Sequence, residues 1–333
     1  MVPGKVAFKG LAHQELAADA PARAAPAGLV PSGGRHQPCS SRRYRHAVPD
    51  RYDTVTFLSD FGLRDEFVGV VKSVIRELAR HVTVIDLTHE IAPFDVRGAS
   101  LALARSVQYL PSGVVLAIVD PGVGTDRRGV AIEVGGGEGV LIGPDNGILA
   151  PAVAMAGGAG RTVVLTNREY QLEPPGATFA GRDVFGPAAA HLCNGVDLAE
   201  LGEPIDAAVL LPGIVPIARP EGAGVAAEVL WVDRFGNAQL NLGTDDIEGF
   251  GDRVRLRMGE TVRSAAVVGA YGTLGPGQIG LVVDSYGLLA ISLDRRSAAE
   301  ELHLGPGDPV VVEPIGDEEG DGVATRVSFT PRR

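Results

Sequence analysis

The sequence predicts an N-terminal α/β domain with a mostly parallel sheet, followed by a smaller C-terminal antiparallel β-barrel-like domain. Three observations carry this. Between residues 53 and 119, β-branched apolar runs alternate with stretches of helical periodicity. After residue 212 the texture changes to short β-rich runs. The 45 Gly and 23 Pro among 333 residues call for many tight turns between short elements. The layout expected is a tail over 1–52, the α/β domain over 53–211, a Pro/Gly-rich linker over 212–220, the barrel-like domain over 221–318 and a second tail over 319–333.

Residues 1–50 hold seven Lys and Arg against three Asp and Glu, a net of +4 that leaves −15 for the rest of a chain whose total is −11. They are rich in Ala, Pro and Gly without apolar periodicity, and read as disordered. From residue 53 the elements follow in order. Thr54-Val55-Thr56-Phe57-Leu58 is a strand ending in the polar turn Ser59-Asp60-Phe61-Gly62. Phe67, Val70, Val71, Val74, Ile75 and Leu78 recur at three- and four-residue steps, one face of an amphipathic helix. A second strand spans 82–87 and a second helix runs from Asp95, an N-cap, to about 108. A third strand over 114–119 ends in Asp120-Pro121-Gly122-Val123-Gly124. Continuous apolar strands of this kind predict a parallel sheet covered on both faces. In the second domain the β-rich runs are 225–232, 238–242, 254–258, 279–283, 288–292 and 309–314, with Asp233-Arg234-Phe235-Gly236-Asn237 as a polar turn between two of them.

Composition narrows the function. An acidic chain without a dominant basic block is no candidate for nucleic-acid or anionic-membrane binding, and no apolar run approaches the roughly 18–20 residues that span a bilayer. Two cysteines, Cys39 and Cys193, make no disulfide framework, so a reducing cytoplasm is the expected setting. Gly122-Val123-Gly124 lacks the third glycine of a dinucleotide fingerprint and follows the wrong strand. No phosphate-binding Gly-rich loop, metal-spaced Cys/His pair or nucleophile elbow occurs. Ligands of open α/β sheets bind beyond the carboxyl ends of the strands, and those ends carry Asp60, His89 with Glu90, and Asp120. Each acid alone reads first as a helix cap or a solvated turn; their common edge favours a site.

Seven segments occur together in order: Ser59-Asp60-Phe61-Gly62, Asp86-Leu87-Thr88-His89, Pro93-Phe94-Asp95-Val96, Val119-Asp120-Pro121-Gly122-Val123-Gly124-Thr125-x-Arg127-Arg128, Pro144-Asp145-Asn146-Gly147, Thr178-Phe179-x-Gly181-Arg182-Asp183-x-Phe185 and Asp233-x-Phe235-Gly236-Asn237. In this the chain resembles the S-adenosyl-L-methionine (SAM) hydroxide adenosyltransferases, relatives of the fluorinases and chlorinases, over about residues 53–314. The resemblance implies attack of water or hydroxide on C5′ of SAM, giving adenosine and L-methionine. It implies no cofactor and no metal, a small-molecule substrate, and homotrimers whose sites lie between the first domain of one subunit and the second domain of its neighbour.

Carried over residue by residue, the resemblance makes Asp120 and Arg127 catalytic, an Asp–Arg pair that orients water. Asp60 would accept the ribose hydroxyls and Phe94 would wall the ribose and sulfonium. Phe179 would stack near the base, with Asn237 and Phe235 towards adenine. Asp233 would meet the methionine ammonium and Ser285 its carboxylate. The family's third catalytic group, a His before Gly181, is Ala180 here, which has no donor, acceptor or titrating group. Three readings follow: a SAM hydrolase, possessing or short of full activity; a SAM or adenosine binder without turnover; or a chlorinase-like halogenase. Against the last stand the charge of Asp120, a poor neighbour for halide, and Tyr286, where halogenating members often carry Arg.

Overall fold

The computed structural model describes residues 51–315. The expected tails and Cys39 lie outside them, apart from Arg51 and Tyr52 at the end of the first tail. Tyr52 is buried, its hydroxyl donating to the Gly137 carbonyl at 2.9 Å, and Arg51 pairs with Glu133 at 2.9 Å. No helix among the described residues is long and apolar enough to cross a membrane.

The first sheet contains β1 (Thr54–Ser59), β2 (Thr83–Thr88), β3 (Gly113–Ile118), β4 (Gly129–Val134), β5 (Gly139–Pro144), β6 (Thr162–Val164) and β7 (Glu203–Pro204), in the spatial order β2-β1-β3-β5-β4-β6-β7. β2, β1, β3 and β5 are mutually parallel, while β4 runs antiparallel to β5 and β6. Helices α1 (Phe67–Leu78) and α4 (Gly186–Cys193) help build one core with Phe57, Leu116 and Ile142, and α2 (Val96–Ser106) and α3 (Ala150–Met155) build another with Leu58, Ala117 and Leu141. Alternate residues of each strand thus feed opposite cores, as the pleat requires. Asp95 caps α2 by accepting from the Gly98 N–H at 2.8 Å.

Two expectations are corrected. β2 is a sheet edge, and Thr83, Ile85 and Asp86 face solvent, so it is not covered on both faces. On α1 the buried residues are Val68, Val71 and Ile75. Phe67, expected in the core, is 39% exposed, because at the start of α1 it packs against Phe61 and Phe179 instead.

Short strand β8 (Arg219–Glu221) leads into the barrel, made of β9 (Gly224–Val232), β10 (Ala238–Gly243), β11 (Arg253–Met258), β12 (Thr261–Val268), β13 (Ile279–Val283), β14 (Leu288–Leu293) and β15 (Pro309–Pro314). The order β10-β14-β13-β12-β11-β15-β9 closes through a β9–β10 pairing. Closure removes exposed edges. Its pairs are antiparallel except β12–β13, which is parallel. β12 begins Thr-Val-Arg-Ser with four exposed side chains, so its sequence lacks the apolar run that marks the other strands. The outer face of α2 joins the two domains: Arg97 pairs with Glu228 at 2.6 Å, and the Arg105 guanidinium lies 4.4 Å from the Trp231 ring and 5.6 Å from that of Tyr286.

The β9–β10 turn rests on Gly236, whose φ is +82° and whose carbonyl accepts from the Ala299 N–H at 2.9 Å. A Cβ there would stand 2.5 Å from Ser297 Cα. Gly236→Ala is expected to destabilise the protein by about 1–3 kcal/mol, read as a lowered urea midpoint without a change in slope.

Candidate active site

The chain leaves β1 for β2 on one side and then returns to β3 on the other, so the strand order reverses between β1 and β3. At such a switch point the connecting segments diverge and leave a crevice beyond the carboxyl ends of the two strands. Asp60 follows β1 and Asp120 closely follows β3, and both line one cavity of about 260 Å³.

Asp60 Oδ2 accepts from the Phe94 N–H at 2.9 Å. Phe94 is held at φ +68°, uncommon for an aromatic residue, and is 72% exposed. Asp120, with a nearly buried side chain, takes both arms of Arg127: Nε donates to Oδ1 at 2.9 Å and Nη2 to Oδ2. The Arg127 guanidinium also lies 5.4 Å from the Phe185 ring. Burial pushes the Asp120 carboxyl above the ordinary aspartate range, Arg127 and the Gly122 N–H pull it back, and Asp60 adds a further upward push. The two acids therefore feel each other across the cavity.

Three rings make the apolar wall. Phe179 meets Phe67 at 5.1 Å and Phe61 at 5.9 Å, both edge-on, and Phe61 lies 5.8 Å from Phe67. Residues 181–185 form one π-helical turn at the mouth of this wall, a geometry frequent at functional sites. Ala180, just before it, lines the cavity and also a polar cavity of about 350 Å³ on the Arg127 side. No histidine lines the first cavity. A more apolar cavity of about 360 Å³ lies around α3. Its one acid, Asp145, is held by Arg128 and the Leu211 N–H, so it is unsuited to chemistry.

The structure thus gathers Asp60, Phe94, Asp120, Phe179 and Ala180 around one cavity, with Arg127 bound to Asp120. Phe61, Phe67 and Thr178 join them beyond the residues expected from sequence; Phe61 and Thr178 belong to the Ser59–Gly62 and Thr178–Phe185 motifs, whereas Phe67 is hidden by its fit to the helical period.

The remaining predicted residues lie on the barrel. Asp233 Oδ1 accepts from the N–H groups of Phe235 (2.9 Å) and Asn237 (2.8 Å), and its Oδ2 from Asn237 Nδ2 at 2.8 Å. Phe235 is 78% exposed. Ser285 is exposed in the β13–β14 turn, where Asp284 Oδ1 accepts from the Tyr286 N–H at 2.8 Å and Oδ2 from Gln239 Nε2 on β10. That last bond ties the two turns together. None of these four residues lines the first-domain cavity. One chain therefore holds the predicted residues in two separate groups.

Comparison with known proteins decides the family. Residues 55–202 match the SAM hydroxide adenosyltransferase N-terminal domain and residues 227–311 the C-terminal domain. The chain belongs to the SAM hydroxide adenosyltransferase family. Among its relatives is a protein named (R)-S-adenosyl-L-methionine hydrolase from Salinispora tropica, 42% identical over 76% of this chain and 95% of that one. Another of the same name, from Thermus thermophilus, is 41% identical over 77% and 98%. A fluorinase from an Actinoplanes species is more distant, 27% identical over 78% and 96%. An uncharacterized conserved protein from Thermotoga maritima, solved as a crystal structure, superposes with TM-score 0.72 at 35% identity, covering 78% of this chain and 99% of that one.

In this SAM hydroxide adenosyltransferase, Arg127→Ala removes the cation that favours the Asp120 carboxylate. The Asp120 titration midpoint, followed by carboxyl-carbon NMR, is expected above that of an ordinary aspartate in the parent and higher still in the variant.

Proposed function

We propose that this protein hydrolyses SAM to adenosine and L-methionine. The observation that carries the reading is the pairing of Asp60 and the Asp120–Arg127 unit in one aromatic-walled cavity at the β1/β3 switch point. The (R)-SAM hydrolase relatives at 40–42% identity support it.

Asp60, with two acceptor oxygens, takes the ribose hydroxyls. Phe94, Phe61, Phe67 and Phe179 exclude solvent from the nucleoside, and Phe94 faces the sulfonium with its ring. The sulfonium is already a good leaving group, so the protein's task is to hold one water in line with the C5′–S bond. Asp120 orients that water as a hydrogen-bond acceptor. The water oxygen forms the bond to C5′ while the C5′–S pair returns to sulfur, and the released proton passes to Asp120 and on to solvent. A carboxylate whose proton affinity burial has raised suits that role. Arg127 fixes the carboxylate and offsets its charge. With Ala180 in the place of the family's His, proton acceptance falls to Asp120 alone.

The second half-site comes from a neighbouring subunit in a homotrimer: Asp233 meets the methionine ammonium, Ser285 its carboxylate, and Phe235 and Asn237 approach the adenine. Supporting this, Phe94 and Phe235 stand exposed on their separate halves, and Leu211, Ile214, Val215 and Ile217 between the domains are more than half exposed or at half. The sparse cysteines support a cytoplasmic setting.

Purified protein given SAM is expected to release adenosine and methionine in equal amounts by chromatography, with or without chloride. Arg127→Ala and Asp120→Asn should each lower kcat by roughly 100-fold, and Ala180→His should raise it. No gain from Ala180→His contradicts the account of the missing group; binding without products establishes a sensor, and 5′-chloro-5′-deoxyadenosine a halogenase. Co-expressing Asp120→Asn with Asp233→Ala chains is expected to restore roughly a quarter of the parental activity, because half of each half-site is intact and they combine at random. No recovery places the whole site within one chain.

A further inference from the structure

His89 is 3% exposed, directly after β2, and the mechanism above gives it no task. Its surroundings are unusually complete. Nδ1 lies 2.8 Å from Ser59 Oγ and Nε2 lies 3.1 Å from Asp86 Oδ1. Asp86 Oδ2 accepts from Lys72 Nζ at 2.9 Å. The Phe57 ring packs edge-on at 4.6 Å and holds the imidazole plane.

Proton roles along this chain follow from the Asp86 carboxylate, which can only accept, so His89 Nε2 carries a ring proton and donates it to Asp86 Oδ1. Ser59 Oγ accepts from the Phe61 N–H at 3.3 Å and can turn its own O–H to the other ring nitrogen, Nδ1. Burial pushes the Asp86 carboxyl up, but bonds from Lys72 and His89 outweigh it and hold Asp86 below the ordinary aspartate range, ionised to receive that proton. The His89 carbonyl accepts in addition from the Gly62 N–H at 2.8 Å.

Ser59 and Gly62 are therefore bonded to His89 on either side of Asp60, with Phe61 held through Ser59, while among the described residues the Asp60 carboxylate is held through Oδ2 by the Phe94 N–H. We propose that His89 is the positioning residue that aims the Asp60 carboxylate at the ribose diol, acting through Ser59 and the Phe61–Gly62 backbone. The proposal rests on the reading of Asp60 given above. An imidazole with two opposed polar edges is suited to this: it bridges Ser59 at the end of β1 and Asp86 on β2 at fixed distance.

The test measures Kd by calorimetry on the full chain for adenosine and for 2′,3′-dideoxyadenosine, which lacks both ribose hydroxyls. The parent is expected to favour adenosine by tenfold or more, as roughly expected for hydrogen bonds to a carboxylate, and Asp60→Ala to erase that preference. His89→Ala and the smaller change Ser59→Ala should each reduce the preference by roughly half to one order of magnitude while leaving the dideoxy analogue's Kd unchanged. In an Asp60→Ala background neither should alter the ratio. His89→Asn, whose amide oxygen can occupy the place of Nδ1, should restore most of it. Equal weakening of both ligands, or a lowered Tm with an unchanged ratio, overturns the proposal and leaves Asp60 intact. An unchanged ratio in Asp60→Ala itself overturns the reading of Asp60, and this proposal with it.

Discussion

The bidentate bond between Arg127 and Asp120 is the interaction on which the site depends. Two carboxylates, Asp60 and Asp120, open into one cavity walled by phenylalanines, where burial and the nearby charge of Asp60 both push the Asp120 carboxyl up. A guanidinium locked to one of them makes that cavity tenable at neutral pH. The arrangement also fixes Asp120 in one orientation, with its remaining acceptor capacity free for a water. Breaking it would leave a buried charge without a partner, a change far larger than the loss of a surface ion pair.

The strand order explains why these groups meet. β1 and β3 are neighbours at the reversal, so the residues after them share a crevice although some 60 positions separate them. Aromatic side chains fill its walls from three different segments: the β1 turn, the first turn of α1 and the loop before the π-helical turn. The barrel contributes nothing to this cavity within the chain. Its two polar turns are joined to each other by Gln239 and Asp284 and present Phe235 outward.

Much of this was legible in the sequence because the signals were local. Asp95 announced the start of α2 by its capping position, and the β9–β10 turn was visible in Asp233-Arg234-Phe235-Gly236-Asn237, whose Gly supplies the positive φ. What stayed hidden depended on long-range placement. The exposed edge of β2 reads like a core strand because its apolar residues alternate weakly with polar ones, and β12 reads like a loop because its first half faces solvent. Phe67 satisfied the helical period and so passed for core, and only the tertiary fold turns it to the cavity. His89 was visible as part of a motif, yet its bond to Ser59 required the register of β1 against β2.

The central claim is that a water held by Asp120 attacks C5′. The most direct measurement is a single-turnover reaction with SAM in water enriched in oxygen-18, with the products weighed by mass spectrometry. One heavy oxygen is expected in the 5′ hydroxyl of adenosine and none in methionine. Adenosine without the label, or label found in methionine, would contradict the account.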